Sequence, residues 1–95
     1  MMLSLDLHVE LIEKPFAARI LVVLYRFGSL NRGLLYDTLG SGPTTPIRRI
    51  DELEAAGLVE EIVSDDRKRY IKLTEKGLRV AILLDDVDRA LRDTK

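Results

Sequence analysis

Apolar positions in the middle of the chain recur every three or four residues, then switch once to a period of two, then return to helical spacing. Phe16, Ile20, Val23, Leu24 and Phe27 form the first helical run, with Pro15 suited to the opening turn and Gly28 as the stop. A second helix is predicted from Asn31 as N-cap, with Leu34, Leu35 and Leu39 on its inner side and Gly40 at its end. After a tight turn through Gly40, Ser41, Gly42 and Pro43, Thr45 caps a third helix with Pro46 in its first position, where a missing N–H costs nothing. Ile47, Ile50, Leu53 and Ala56 or Gly57 then face inward. Residues 58–63 and 69–73 are β-rich runs flanking a polar tip, which predicts a hairpin. Thr74 caps a last helix reaching Leu91 or beyond, with Glu75 favourably placed in its first turn. Ahead of all this, Leu3, Leu5, Leu7, Val9 and Leu11 alternate with Ser4, Asp6, His8 and Glu10. That alternation fits a half-buried strand or an extended arm lying across a partner subunit, while Glu and Leu, good helix formers, leave a helix open as well.

Composition narrows what such a chain can do. Its 95 residues suffice for one modest core and not for a core plus a catalytic lobe. The expected division is 1–14 as an N-terminal strand or arm, 15–73 as a binding domain and 74–95 as a C-terminal helix. With no cysteine and His8 as the only histidine, disulfides and the usual zinc sites are excluded, and no metal or cofactor is expected. No stretch approaches the length of a membrane span, and residues 1–14 lack the basic start and apolar run of a signal peptide, so a cytoplasmic location is expected. Carboxylates are scattered among opposite charges and no serine has a partner histidine, so an enzyme is not expected. The formal net charge of −1 argues against nonspecific coating of nucleic acid, and any DNA contact must come from local arrangement.

Two stretches carry that arrangement. The first is the capped helix Thr44-Thr45-Pro46-Ile47-Arg48-Arg49, closing on Leu53-Glu54-Ala55-Ala56-Gly57-Leu58-Val59. The second is the tip Asp65-Asp66-Arg67-Lys68-Arg69, continuing as Tyr70-Ile71-Lys72-Leu73-Thr74-Glu75-Lys76-Gly77. In order and spacing, over roughly residues 15 to 80, they resemble winged helix-turn-helix transcriptional regulators of the MarR and PadR families. Leu-Glu-x-x-Gly-Leu-Val looks like the end of those families' recognition helix, Asp65-Asp66-Arg67 resembles the MarR wing tip, and the run into Leu73-Thr74-Glu75-Lys76-Gly77 resembles the PadR wing and its close. The chain departs from MarR proteins in being shorter, and from PadR proteins in lacking a long C-terminal dimer domain. The resemblance implies a mainly α fold with a small β-hairpin wing, a three-helical winged helix-turn-helix core, and an extra C-terminal helix for dimerisation.

On that reading Arg48 and Arg49 enter the major groove, where bidentate guanidinium contact to guanine is the commonest specific pairing, and Thr44 and Thr45 add phosphate or base contacts. Arg67, Lys68 and Arg69 grip backbone or minor groove, with Asp65 or Asp66 bracing Arg67. The bland alternatives are that Arg48 and Arg49 merely offset Asp51, Glu52 and Glu54, and that the tip is a solvated hairpin end. Val80, Leu83, Leu84, Val87 and Leu91 form a broad aliphatic stripe, expected to pair with a symmetry mate rather than only pack on the first helix. The expected function is a homodimeric, sequence-specific double-stranded DNA-binding regulator of a pseudo-palindromic site. The alternative is a winged-helix protein-interaction module, favoured by Asp51, Glu52, Glu54, Glu60 and Glu61 beside the reading head. No convergent polar groups point to a small-molecule effector, and none is assigned.

Overall fold

The computed structural model describes Leu5, residues 7–40, Gly42 and residues 44–93. Met1, Met2, Leu3, Ser4, Asp6, Ser41, Pro43, Thr94 and Lys95 lie outside the described residues, and with them part of the proposed N-terminal alternation and of the turn before the third helix. Seven elements follow in order: α1 (Glu10–Glu13), α2 (Ala17–Phe27), α3 (Arg32–Leu39), α4 (Thr44–Ala55), β1 (Val59–Val63), β2 (Arg69–Leu73) and α5 (Glu75–Arg92).

The N-terminal segment is not a strand where it is described. His8 and Val9 form a turn, and α1 follows. The reason lies in Leu11 and Ile12, adjacent residues that both pack against the core. A period of two would send them to opposite sides, whereas a helical turn places both on one flank. Pro15 ends α1 by forcing Lys14 into an extended conformation (φ −69°, ψ 149°). Pro15 is therefore not inside the next helix, as its position suggested. That helix starts at Ala17, after Phe16 turns the chain with φ 69°.

Helix α2 contributes Ala17, Ile20, Leu21 and Leu24 to the core, and Gly28 ends it with φ 81°, as expected. Phe27, placed on the inner side by its spacing, is instead exposed. Asn31 caps α3 through its side chain, accepting from the Leu34 N–H at 2.8 Å. Leu35 and Leu39 point inward one turn apart, which leaves Leu34 on the exposed flank against expectation.

Helix α4 begins no later than Thr44, so Thr45 lies within its first turn rather than capping it. Its buried stripe is Pro46, Arg49, Ile50 and Leu53, an i, i+3, i+4, i+7 series. The sequence pattern put Ile47 in that stripe; the helix is rotated so that Arg49 turns inward and Ile47 outward. Gly57 then takes φ 78°, and the Leu58 N–H reaches the Leu53 carbonyl at 2.9 Å, closing the helix end in a left-handed cap.

The strands pair antiparallel with Val59 opposite Leu73, Glu61 opposite Ile71 and Val63 opposite Arg69. Leu30 adds a short bridge on the far side of β2, exchanging backbone hydrogen bonds with Ile71. Val59 and Ile71 face the core, which also takes Leu58 and, from α5, Ala81. Helix α5 packs along α2. The two are joined electrostatically as well: Asp85 is buried and accepts from Arg26 Nε at 2.6 Å and Arg89 Nε at 2.8 Å.

The junction of α4, the hairpin and α5 fixes how these three elements sit against one another. Thr74 caps α5 by accepting from the Gly77 N–H at 3.0 Å, while its own hydroxyl donates to the Gly57 carbonyl at 2.6 Å. Its N–H donates to the Leu58 carbonyl at 3.0 Å, and Lys76 Nζ donates to the Ala56 carbonyl at 3.1 Å. Three carbonyls that a helix end would leave orphaned are thus satisfied by the start of the next helix. The two backbones approach so closely that a Cβ on Gly77 would stand 1.8 Å from the Leu58 oxygen. Only glycine fits there.

Candidate nucleic-acid interface

The outward face of α4 is open. Thr44, Ile47, Arg48, Asp51 and Ala55 are exposed and, with Glu52, line a shallow groove along the helix. Among the described residues no hydrogen bond or ion pair engages the Arg48 guanidinium, so its donors face solvent from the first turns of the helix. Thr44 shares that face and Thr45 is half-buried beside it.

Arg49 is not part of this surface, contrary to the sequence reading. Its side chain is only 8% exposed. Nε donates to the Pro15 carbonyl at 2.9 Å and NH1 to Glu52 at 2.5 Å. The residue ties the sharp turn at Phe16 to α4, which is why the helix rotates to bury it. Two adjacent arginines of identical type thus do different work.

The acidic neighbours that argued against DNA are largely occupied. Lys14 Nζ bonds the second Glu52 oxygen at 2.5 Å. Lys14, foremost, with the charges of Arg49 and Arg48, holds the Glu52 carboxyl below its ordinary range. Arg32 lies 3.9 Å from Asp51 and donates to Glu61 at 3.1 Å, and Lys72 lies 3.9 Å from Glu60. The outward face of α4 is therefore less negative than the bare sequence suggests.

At the hairpin tip Ser64 N–H donates to the Lys68 carbonyl at 2.8 Å, and Arg67 N–H to the Ser64 carbonyl at 2.9 Å. Arg67 occupies the left-handed region at φ 66°, a conformation that favours glycine. Its guanidinium has no partner among the described residues. Asp66 does not brace Arg67, as the sequence reading had it; its carboxylate accepts from the Ser64 hydroxyl and, at 3.2 Å, from the Lys68 N–H. Those hydrogen bonds, Ser64 first, hold the Asp66 carboxyl below its usual range. Asp66 shapes the turn, and the turn presents Arg67. Lys68 is exposed with only a long contact of 3.9 Å to Asp66, and Arg69 is exposed with a 3.4 Å contact to Glu61. Tyr70 is a half-buried strand residue opposite Ile62.

The aliphatic stripe of α5 splits in two. Val80 and Leu84 pack partly against the chain's own core, so they are not wholly available to a partner, while Leu83, Val87 and Leu91 remain exposed. Leu84, Val87 and Leu91 line a furrow with Ala18, Arg19 and Val22 of α2. Leu5, Leu7 and Val9 are exposed as well. Sequence reasoning missed Arg32, which joins α3 to β1, and treated Glu61 only as a repulsive charge. The hairpin register was the signal: it puts Arg69 diagonally across from Glu61 on one face. Among the described residues no helix is long and apolar enough to cross a membrane, and no group of three or more acidic or histidine side chains could hold a metal ion.

No protein-family model matches the chain, and no curated protein matches it by sequence. Solved structures do. A MarR family transcriptional regulator from Silicibacter pomeroyi is 32% identical with a TM-score of 0.72, the match covering 81% of this chain and 53% of that one. A MarR family transcriptional regulator from Silicibacter pomeroyi DSS is 26% identical at TM-score 0.75, over 88% and 58% of the two chains. ZitR of Lactococcus lactis, at 19% identity, shares the fold over 97% of this chain and 63% of its own, with a TM-score of 0.77. The chain spans between about half and two thirds of the length of these neighbours. In element order, hairpin and terminal helix, and in its likeness to these regulators, the chain is a MarR-like winged helix-turn-helix protein.

Proposed function

We propose that the chain is a sequence-specific, double-stranded DNA-binding transcriptional regulator, acting in the cytoplasm as a homodimer and without enzymatic activity. Helix α4 enters the major groove, with Arg48 reading a base edge and Thr44 and Thr45 contacting phosphate or base. The wing lies on the flanking backbone or minor groove through Arg67, Lys68 and Arg69. The single observation that carries this reading is the tip: an arginine is held in a left-handed conformation that costs about 1 kcal/mol or more, with its charge unpartnered. Strain of that kind, held here by the turn's own hydrogen bonds, clusters at binding and switch sites. The pairing of Glu52 and Asp51 beside Arg48 supports the same reading.

A second copy covers Leu83, Val87 and Leu91 and the exposed apolar residues of the N-terminal segment. A two-fold dimer presents its two α4 helices about 34 Å apart, one turn of duplex, and so selects a pseudo-palindromic site. A mobility-shift assay on a random duplex pool at two salt concentrations tests the proposal. Binding that falls by a log-log slope of about 0.9 per neutralised phosphate is expected. Failure to shift any duplex at either salt would favour a protein-interaction module instead, a reading to which exposed Ile47 on the α4 face lends some support.

A further inference from the structure

Four charged residues from four elements meet beside the wing. Glu61 shares the inner face of the hairpin with Val59 and Ile71, yet it stands beyond the core with its side chain 22% exposed. One of its oxygens accepts from Arg32 Nε of α3 at 3.1 Å, and the other from Arg69 of β2 at 3.4 Å. Arg32 also lies 3.9 Å from Asp51 on α4. Arg69 has no second partner among the described residues, and its side chain is 72% exposed. One carboxylate therefore holds a well-anchored arginine and a loosely held one.

We propose that Glu61 is a positioning residue that sets the strength of the wing's sequence-independent grip, by holding Arg69 in an exchangeable ion pair that a DNA phosphate must displace. The inference rests on the DNA-binding reading above. Arg32, closer and less exposed than Arg69, keeps the carboxylate in place and ties the wing to α3. Arg69 exchanges, because an exposed contact of 3.4 Å is weak and a phosphate offers a stronger, charge-assisted bond. The displacement opposes binding to every duplex alike. Because that cost is the same for every duplex, it lowers affinity throughout and leaves the ratio of specific to nonspecific binding unchanged.

The test is a salt series with the full chain on a random duplex and on a duplex recovered by selection. Glu61→Gln keeps the shape and removes the charge. It is expected to bind the random and the selected duplex alike about tenfold more tightly, with little change in salt slope, because Arg69 reaches the phosphate in the parent complex as well. In Glu61→Gln/Arg69→Ala the gain disappears. An affinity unchanged in Glu61→Gln, or a gain that survives undiminished without Arg69, overturns the inference; in the latter case the carboxylate acts by its own repulsion. Arg69→Ala compared with Arg67→Ala gives a second readout that does not depend on altering Glu61. Removing the paired charge costs less affinity than removing the unpaired one, and an equal cost overturns the inference. A parent chain that shifts no duplex overturns the DNA-binding reading itself, an outcome separate from a parent that binds with Glu61→Gln unchanged.

Discussion

The root and the tip of the hairpin solve opposite problems. At the root, the carbonyls of Ala56, Gly57 and Leu58 are all satisfied by Thr74 and Lys76, and Gly77 sits where no side chain can fit. At the tip, Arg67 accepts a strained backbone and leaves its charge to solvent, while Lys68 and Arg69 keep only long contacts. The root is closed by hydrogen bonds around the buried Leu58 and Gly77, the pattern of a part selected to hold its place. The tip gives up local stability to present charge, the pattern of a part selected to touch something else. The same contrast recurs within α4, where Arg49 is a strut and Arg48 is free.

Substitutions at the two ends should therefore separate stability from binding. The largest effect is expected at the root. Alanine is favoured over glycine by about 1 kcal/mol in a helix interior, yet Gly77→Ala must push the Leu58 carbonyl aside. It should destabilise the fold by about 3 kcal/mol or more in a urea titration. A variant as stable as the parent would mean that the root is not packed as described. Next, Arg49→Ala should cost about 1–3 kcal/mol, since it strips the Pro15 carbonyl and Glu52 of a buried donor. If Arg49→Ala instead kept its stability and lost only base preference, the strut and the reading residue would be interchanged.

Acid should act through the carboxylates that arginine and lysine hold. Arg26, with Arg89 second, keeps the Asp85 carboxyl below its ordinary value. A depressed folded pKa contributes stability that is complete above the unfolded value of about 3.9 and is lost as pH falls through the folded value. The parent should therefore lose stability steeply below about pH 4. Asp85→Asn should melt lower at neutral pH and show a shallower acid limb. Parallel acid limbs for parent and variant would remove Asp85 from the joint between α2 and α5. The smallest effect is expected at the tip, and its sign is reversed. Arg67→Gly should raise stability by up to about 1 kcal/mol, because glycine takes φ 66° without penalty, and it should weaken duplex binding at the same time.

Much of this was legible in the sequence because local rules and the tertiary structure agree. Asn31, Gly28, Gly40, Gly57 and Thr74 stand where caps and stops belong, and residues 69–73 form the strand that their composition announced. The readings failed where a long-range contact decided the outcome. Arg49 turns inward because the Pro15 carbonyl, 34 residues away in sequence, needs a donor. That rotation also exposes Ile47, which periodicity alone had placed in the core. Leu11 and Ile12 share a flank because the core they cover is built by later elements. The Thr74-to-Gly77 close looked like a simple helix cap, and its tighter purpose appears only once Leu58 is seen against it. Of the proposed contact residues, Thr44, Arg48, Arg67, Lys68 and Arg69 are exposed, Thr45 is half-buried and Arg49 is buried.

The central claim is that an open helix face and a strained tip grip one duplex in two ways. Its most direct test is a salt-titrated binding measurement of the parent, Arg48→Ala and Arg67→Gly on a selected duplex and on single-base variants of it. Arg48→Ala should lose about 1–3 kcal/mol of discrimination at one base pair with only a small change in salt slope. Arg67→Gly should weaken all the duplexes alike and flatten the slope by about 0.9. Both variants binding every duplex as the parent does would contradict the account.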